Sequence, residues 1–202
     1  MGRRRRQSWG SVFVVLAVAG GLLWLAARPE AAGMLSAITG EDAPPAPDVA
    51  VTEITSIPAR PADAFPMTVR HVFDGDTVEL QHSAPNDVVT TTAPIRVRLI
   101  GIDTPEGTPT VECWADEARS HLAALAPEGA TVWVGLDRET WDHYERRLFY
   151  LWADDGRFVN YELVAAGDAE ALRVWPNEAH YPLFVSAQAA AQAAGAGQWS
   201  AC

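Results

Sequence analysis

Met67-Thr68-Val69-Arg70-His71-Val72-Phe73 runs into Asp74-Gly75-Asp76 and out through Thr77-Val78-Glu79-Leu80-Gln81. The first segment alternates apolar and polar residues as a strand does, the Asp-Gly pair turns the chain, and the last segment returns. Downstream, Ser83 to Ala93 is a polar loop, and Ile95 to Ile102 reads as a strand with β-branched residues. After Pro105 the period changes: Trp114, Ala118, Leu122 and Leu125 recur at three and four, a helical face that Gly129 closes. Ala130 to Leu136 and Arg147 to Ala153 are further strands, the second ended by an Asp154-Asp155-Gly156 turn. Phe158 to Ala166 is a short helix with Gly167 as its terminator, and a last helix covers about Glu178 to Ala194. Three strands, a helix, two strands and two helices predict an α+β, β-rich fold: a five-stranded OB-type barrel with about three helices.

The N-terminal third has a different character. Arg3 to Arg6 precede an apolar run from Val12 to Ala27, with Trp9 and Trp24 near its ends. A basic block, an apolar stretch and interfacial tryptophans describe a signal anchor or signal peptide over residues 1–28. Counted over residues 9–27 the run is long enough to cross a membrane, and positive-inside logic puts everything after it outside the cytoplasm. The cleavage sites are poor, which favours an uncleaved tether over a secreted product. Residues 29–66, rich in Ala and Pro, read as a linker, and residues 67–202 as the folded domain.

Composition limits what that domain does. The chain has 202 residues, 49% of them apolar, and its fifteen basic residues are all arginine, giving a net charge of −11. From Pro61 onward 9 Arg face 21 Asp and Glu. Proteins that hold long duplexes show a basic stripe, and this one has none. Only local clusters of arginine are left to attract phosphate. Cys113 and Cys202 are the only cysteines. An intramolecular disulfide suits an exported chain; two free thiols or a bridge between chains are the alternatives.

The carboxylates gather where strands end. Asp76 follows one turn and Asp103 ends another strand, so a cation has room between them in an oxygen-only site that suits Ca²⁺. Taken singly, Asp74-Gly75-Asp76 is also an ordinary hairpin turn and Glu106 an ordinary helix cap. Arg98, on an apolar strand, calls for an acidic partner or a ligand. Arg146, in a polar run between strands, is by itself a solvated loop residue as readily as a site residue.

Together these motifs resemble the staphylococcal nuclease (thermonuclease) family from about Met67 to Ser200. The resemblance rests on Asp74-Gly75-Asp76-Thr77, on Arg98 with Asp103-Thr104-Pro105-Glu106, and on Asp142 through Arg146. It implies calcium-dependent hydrolysis of DNA and RNA with little sequence preference. Asp76, Asp103 and the Thr104 carbonyl would ligate Ca²⁺, with Asp74 close behind them. Glu106 would be general base, and Arg98 and Arg146 would hold the phosphate. The implied substrate is single-stranded or frayed DNA, or RNA, and the implied enzyme a monomer. The chain departs from the family pattern at Glu145, where glycine is usual, and at His143, where lysine is usual. Tyr144 is kept, while the base-packing tyrosines have no clear match and Trp175 is the nearest substitute for stacking a base. Two other readings compete: a non-catalytic OB-fold module that binds strands or a protein, and a calcium-binding structural domain.

Overall fold

The structure is a computed structural model that describes residues 56–202. The expected anchor and most of the expected linker lie outside the described residues. Among the described residues no helix is long and apolar enough to cross a membrane.

In chain order the elements are β1 (Phe65–Val72), β2 (Thr77–Gln81), β3 (Ile95–Leu99), β4 (Ile102–Asp103), α1 (Ala115–Leu125), β5 (Thr131–Gly135) and β6 (Arg147–Ala153). They continue as α2 (Val159–Ala165), β7 (Glu170–Ala171), α3 (Tyr181–Ala194) and the single turn α4 (Gln198–Ala201). Strands β1-β2-β3-β6-β5 close into a barrel of the OB type. All its pairings are antiparallel except β3 with β6. Closure leaves no exposed strand edge, the usual hazard of a small sheet.

Alternation fills the barrel. Val78, Leu80, Val97, Leu99, Val132 and Val134 point inward and are buried. In β1 the alternation slips between Val69 and His71, where the register with β2 shifts; a bulge there lets Met67, Val69 and Val72 all face the core. Every residue of β6 is buried because α2 packs on its outer side. Burying a side chain such as Phe149 or Leu151 contributes roughly 1.5–3 kcal/mol. Residues ahead of β1 already touch the barrel: Trp152 donates from Nε1 to the Pro58 carbonyl, and Arg60 lies over the Trp133 ring.

Three elements differ from expectation. The strand expected over Ile95 to Ile102 breaks at Gly101, whose φ is +82°. A Cβ there would meet the Phe184 ring at 2.6 Å, so only glycine fits. The chain leaves the barrel at that point, and β4 pairs instead with β7. Asn160, fully buried, holds the exit by donating to the Ile100 carbonyl and accepting from the Leu151 N–H. The helix expected soon after Pro105 begins only at Ala115, and the last long helix at Tyr181 instead of Glu178.

Candidate active site

Register places the first pair of site residues. Thr77 lies opposite Arg98 across β2 and β3, so Asp76 arrives at the guanidinium as the turn closes. The turn is tight: Phe73 N–H reaches the Thr77 carbonyl at 3.0 Å, and Asp76 N–H reaches Asp74 Oδ1 at 3.1 Å. Gly75 allows α1 and Thr104 to come close, since a Cβ there would meet both Ala118 and Thr104 at 2.8 Å.

Asp76 is only 2% exposed. Its Oδ2 accepts from the Thr104 N–H at 3.0 Å and the Thr104 hydroxyl at 3.1 Å, and its Oδ1 accepts from the Thr77 hydroxyl. Arg98 Nη1 forms an ion pair with Asp76, and Nη2 lies 2.5 Å from Asp103 Oδ1. Arg98 leaves β3 on the face away from Val97 and Leu99, so it lies outside the barrel interior. Burial pulls its guanidinium below the ordinary arginine value, and the Asp103 charge opposes that pull.

Arg146 comes from the other side of β3. The parallel register pairs Val97 with Arg147, and the residues just before them, Arg96 and Arg146, line the same two clefts. Asp142 anchors this loop by accepting from the Tyr144 N–H, the Arg146 N–H and Arg146 Nε, at 2.9, 2.8 and 2.7 Å. Burial opposes the charge on Asp142, but these bonds outweigh it and hold the carboxyl below its usual range. Nothing in the sequence beyond its place in the motif marks Asp142 for this role. Glu145 has a φ of +61°, the left-handed region where glycine is at ease.

Glu106 is exposed and lines a cleft of about 400 Å³ that Asp74, Thr77 and Arg146 also line. It borders a second cleft with Tyr144 and Glu145. Partial burial, then the Asp74 charge, raise the Glu106 carboxyl above the ordinary value; burial likewise raises Asp74. The loop after Glu106 closes on itself through reciprocal bonds with Glu112, each 2.9 Å. Cys113 and Cys202 form a disulfide just beyond it.

The structure therefore brings Asp74, Asp76, Arg98, Asp103 and Thr104 to one end of the barrel, and Glu106 and Arg146 line the cleft that Asp74 also lines. Tyr144 joins them at the rim, 68% exposed, its ring 5.4 Å from Arg146 Cζ. Trp175 does not: it is 78% exposed and lines neither cleft that holds Glu106.

For a hard cation the donor chemistry is oxygen only. The Asp76 bond to the Thr104 backbone sets that residue's peptide against the carboxylate, with Asp103 joined through Arg98. No group of three His, Cys, Asp or Glu suited to a metal occurs among the described residues. Asp76, Asp103 and the Thr104 carbonyl offer oxygen donors only, the ligand class that a hard cation such as Ca²⁺ takes, and a cation there would meet carboxylates that Arg98 already pairs with.

Residues 96–201 match the family model described as "Staphylococcal nuclease homologue". The chain is 35% identical over 128 residues to a thermonuclease of Staphylococcus intermedius, covering 61% of this chain and 70% of that protein. It is also 35% identical over 116 residues to an uncharacterized endonuclease of Escherichia coli O157:H7, covering 57% and 66%, just under two thirds of that relative.

Proposed function

The chain belongs to the staphylococcal nuclease family, and on that premise we propose that it is a calcium-dependent nuclease hydrolysing DNA and RNA with little sequence preference. The observation that carries this reading is the shared cleft: Glu106 and Arg146 line it together, beside Arg98 pinned between Asp76 and Asp103.

Asp76, Asp103 and the Thr104 carbonyl would hold the calcium ion, which when bound supplies Lewis-acid charge beside a phosphoryl group. The protein's own residues perform the rest. Glu106, its carboxyl raised by burial and by Asp74, takes a proton from water as the water oxygen attacks phosphorus in line. Arg98 and Arg146 present N–H groups to the phosphoryl oxygens, a geometry a planar guanidinium matches in pairs. Arg146, oriented by Asp142, also faces the departing oxygen, and the phosphate stays on the 3′ end. Tyr144 at the rim meets the strand, and Trp175 offers a separate face for a base.

The substrate is single-stranded or frayed DNA, or RNA, because an acidic domain lacks the grip needed to hold duplex. We place the enzyme outside the cytoplasm as a monomer, tethered through residues 9–27 and the 29–66 linker, or secreted if the signal is cut. The disulfide supports an oxidising compartment.

The test is cleavage of denatured DNA by the full-length chain with calcium, with chelator, and with Glu106→Gln. Wild-type cleavage lost on chelation, and a variant slower by about 10²–10⁴-fold that still binds calcium, are the expected results. A folded, calcium-binding but inert wild type would replace the enzyme with a scaffold.

A further inference from the structure

Two arginines that line the 400 Å³ cleft have no place in the machinery above. Arg96 stands two residues before Arg98 on β3, so both leave the same face of the strand. Its guanidinium lies over the Phe73 ring, 4.0 Å from the centroid. Arg119 comes from α1, and its Nε donates to the Val72 carbonyl at 3.1 Å. Both line the 400 Å³ cleft with Glu106 and Arg146. Arg119 also borders the next depression along, of about 480 Å³, beside Val72 and Ser120.

Neither arginine makes an ion pair among the described residues. Arg96 sits opposite Glu79 in register, and Asp116 is one helical turn from Arg119 in the same cleft, yet neither carboxylate pairs with its neighbour. Of the nine arginines from Pro61 onward, five make no ion pair, and Arg96 and Arg119 are the two of those five that line this cleft. Each is held by something that leaves its charge in place: an aromatic face for Arg96, a backbone carbonyl for Arg119. The cleft is also on the scale of a small-molecule pocket, roughly 300–1,000 Å³, far more than one phosphate occupies.

We infer that Arg96 and Arg119 form a second phosphate subsite, which takes a backbone phosphodiester next to the one being cleaved. The inference rests on the nuclease reading. Arg96 is the link between the two positions, because it lines both clefts that hold Arg146, and Arg119 lines the first of them with it. The strand then passes from Arg146 across the Phe73 edge to Arg119. Such a subsite gives an acidic domain local purchase on nucleic acid, and makes it favour oligonucleotides over dinucleotides.

The experiment measures binding of a labelled oligothymidylate to the full-length chain in EDTA, by fluorescence anisotropy. Its phosphodiesters are replaced one at a time by neutral methylphosphonates. Two adjacent linkages should matter in the wild type, each weakening affinity by about five- to tenfold. In Arg96→Ala/Arg119→Ala, or in the bulkier Arg96→Gln/Arg119→Gln, only one should still matter. The slope of log affinity against log salt should be shallower by about 0.7, one phosphate contact on a single strand. A single sensitive linkage in the wild type, a scan that needs no variant, would overturn the subsite. So would a variant that responds to both linkages as the wild type does. Calcium-dependent cleavage with one sensitive linkage sinks the subsite alone; a wild type that neither binds nor cleaves sinks the nuclease reading with it.

Discussion

Arg98 and Asp76 form an ion pair in which the carboxylate side chain is only 3% exposed and the guanidinium 12%. The same arginine reaches Asp103, whose side chain is 55% exposed. Breaking a buried pair from one side costs about 3–5 kcal/mol, whereas an exposed partner is worth about 0–1 kcal/mol. Asp76→Ala should therefore lower the unfolding free energy in urea, without added calcium, by about 3–5 kcal/mol, and Asp103→Ala by no more than about 1 kcal/mol. Added calcium should raise the unfolding midpoint of the wild type and fail to do so for Asp103→Ala. Equal losses in the two variants would show that the fold depends no more on the buried partner of Arg98 than on the exposed one.

Asp142 orients Arg146 through its side chain and backbone together. Asp142→Ala frees the guanidinium, and a displacement near 1 Å costs on the order of 10²-fold in rate. The expected result is a fall of about 10–100-fold in kcat/KM with the fold intact by circular dichroism. Asp142→Asn, which keeps an acceptor oxygen, should recover part of it. A variant as active as wild type would mean that Arg146 finds its place without help.

Glu145 sits at φ +61° beside Arg146. A side chain in the left-handed region costs roughly 1–2 kcal/mol relative to its preferred conformations, against which glycine's extra unfolded-state entropy counts about 0.5–1 kcal/mol. Glu145→Gly should therefore raise stability slightly, by up to about 1 kcal/mol. It also removes a negative charge from the cleft that Arg146 lines, so KM for denatured DNA should fall, most visibly at low salt. A destabilised variant would place the strain elsewhere in the loop.

The barrel was legible because its strands alternate and its turns carry Asp and Gly, signals local to each segment. The break after β3 was not: Ile95 to Ile102 reads as one run, and only the Phe184 ring, brought in by α3, explains why Gly101 turns out of it. The motif residues Asp76, Arg98 and Asp103 stand out as residue types, but what joins them is register, Thr77 opposite Arg98, which no spacing states. Nothing in the sequence around Arg96 marks it, and only the fold brings it into the clefts that hold Arg146. Trp114, expected on the helical face, instead precedes α1 at φ +76° and donates to Asp168. His121, which no motif in the sequence marks, has the same partner.

That partner gives the domain a pH-dependent tie between α1 and the turn after α2. His121 Nδ1 lies 2.5 Å from Asp168 Oδ2, and the carboxylate's other oxygen accepts from Trp114. The bond to Asp168 raises the histidine above its ordinary 6.5, although partial burial opposes it. A raised folded value means that the protonated form is favoured by folding, so this stability is fully present below pH 6.5 and is lost as pH rises through the folded value. His180 works in the opposite sense, because burial among Tyr150, Phe158 and Phe184 lowers its value, so its neutral form favours folding at higher pH. The two are separated by difference. Between pH 6 and 9, wild type should lose more stability in urea than His121→Gln does, while His180→Gln should steepen the wild-type loss. If the wild-type and His121→Gln curves run parallel across that range, the His121–Asp168 contact contributes no charge-dependent stability.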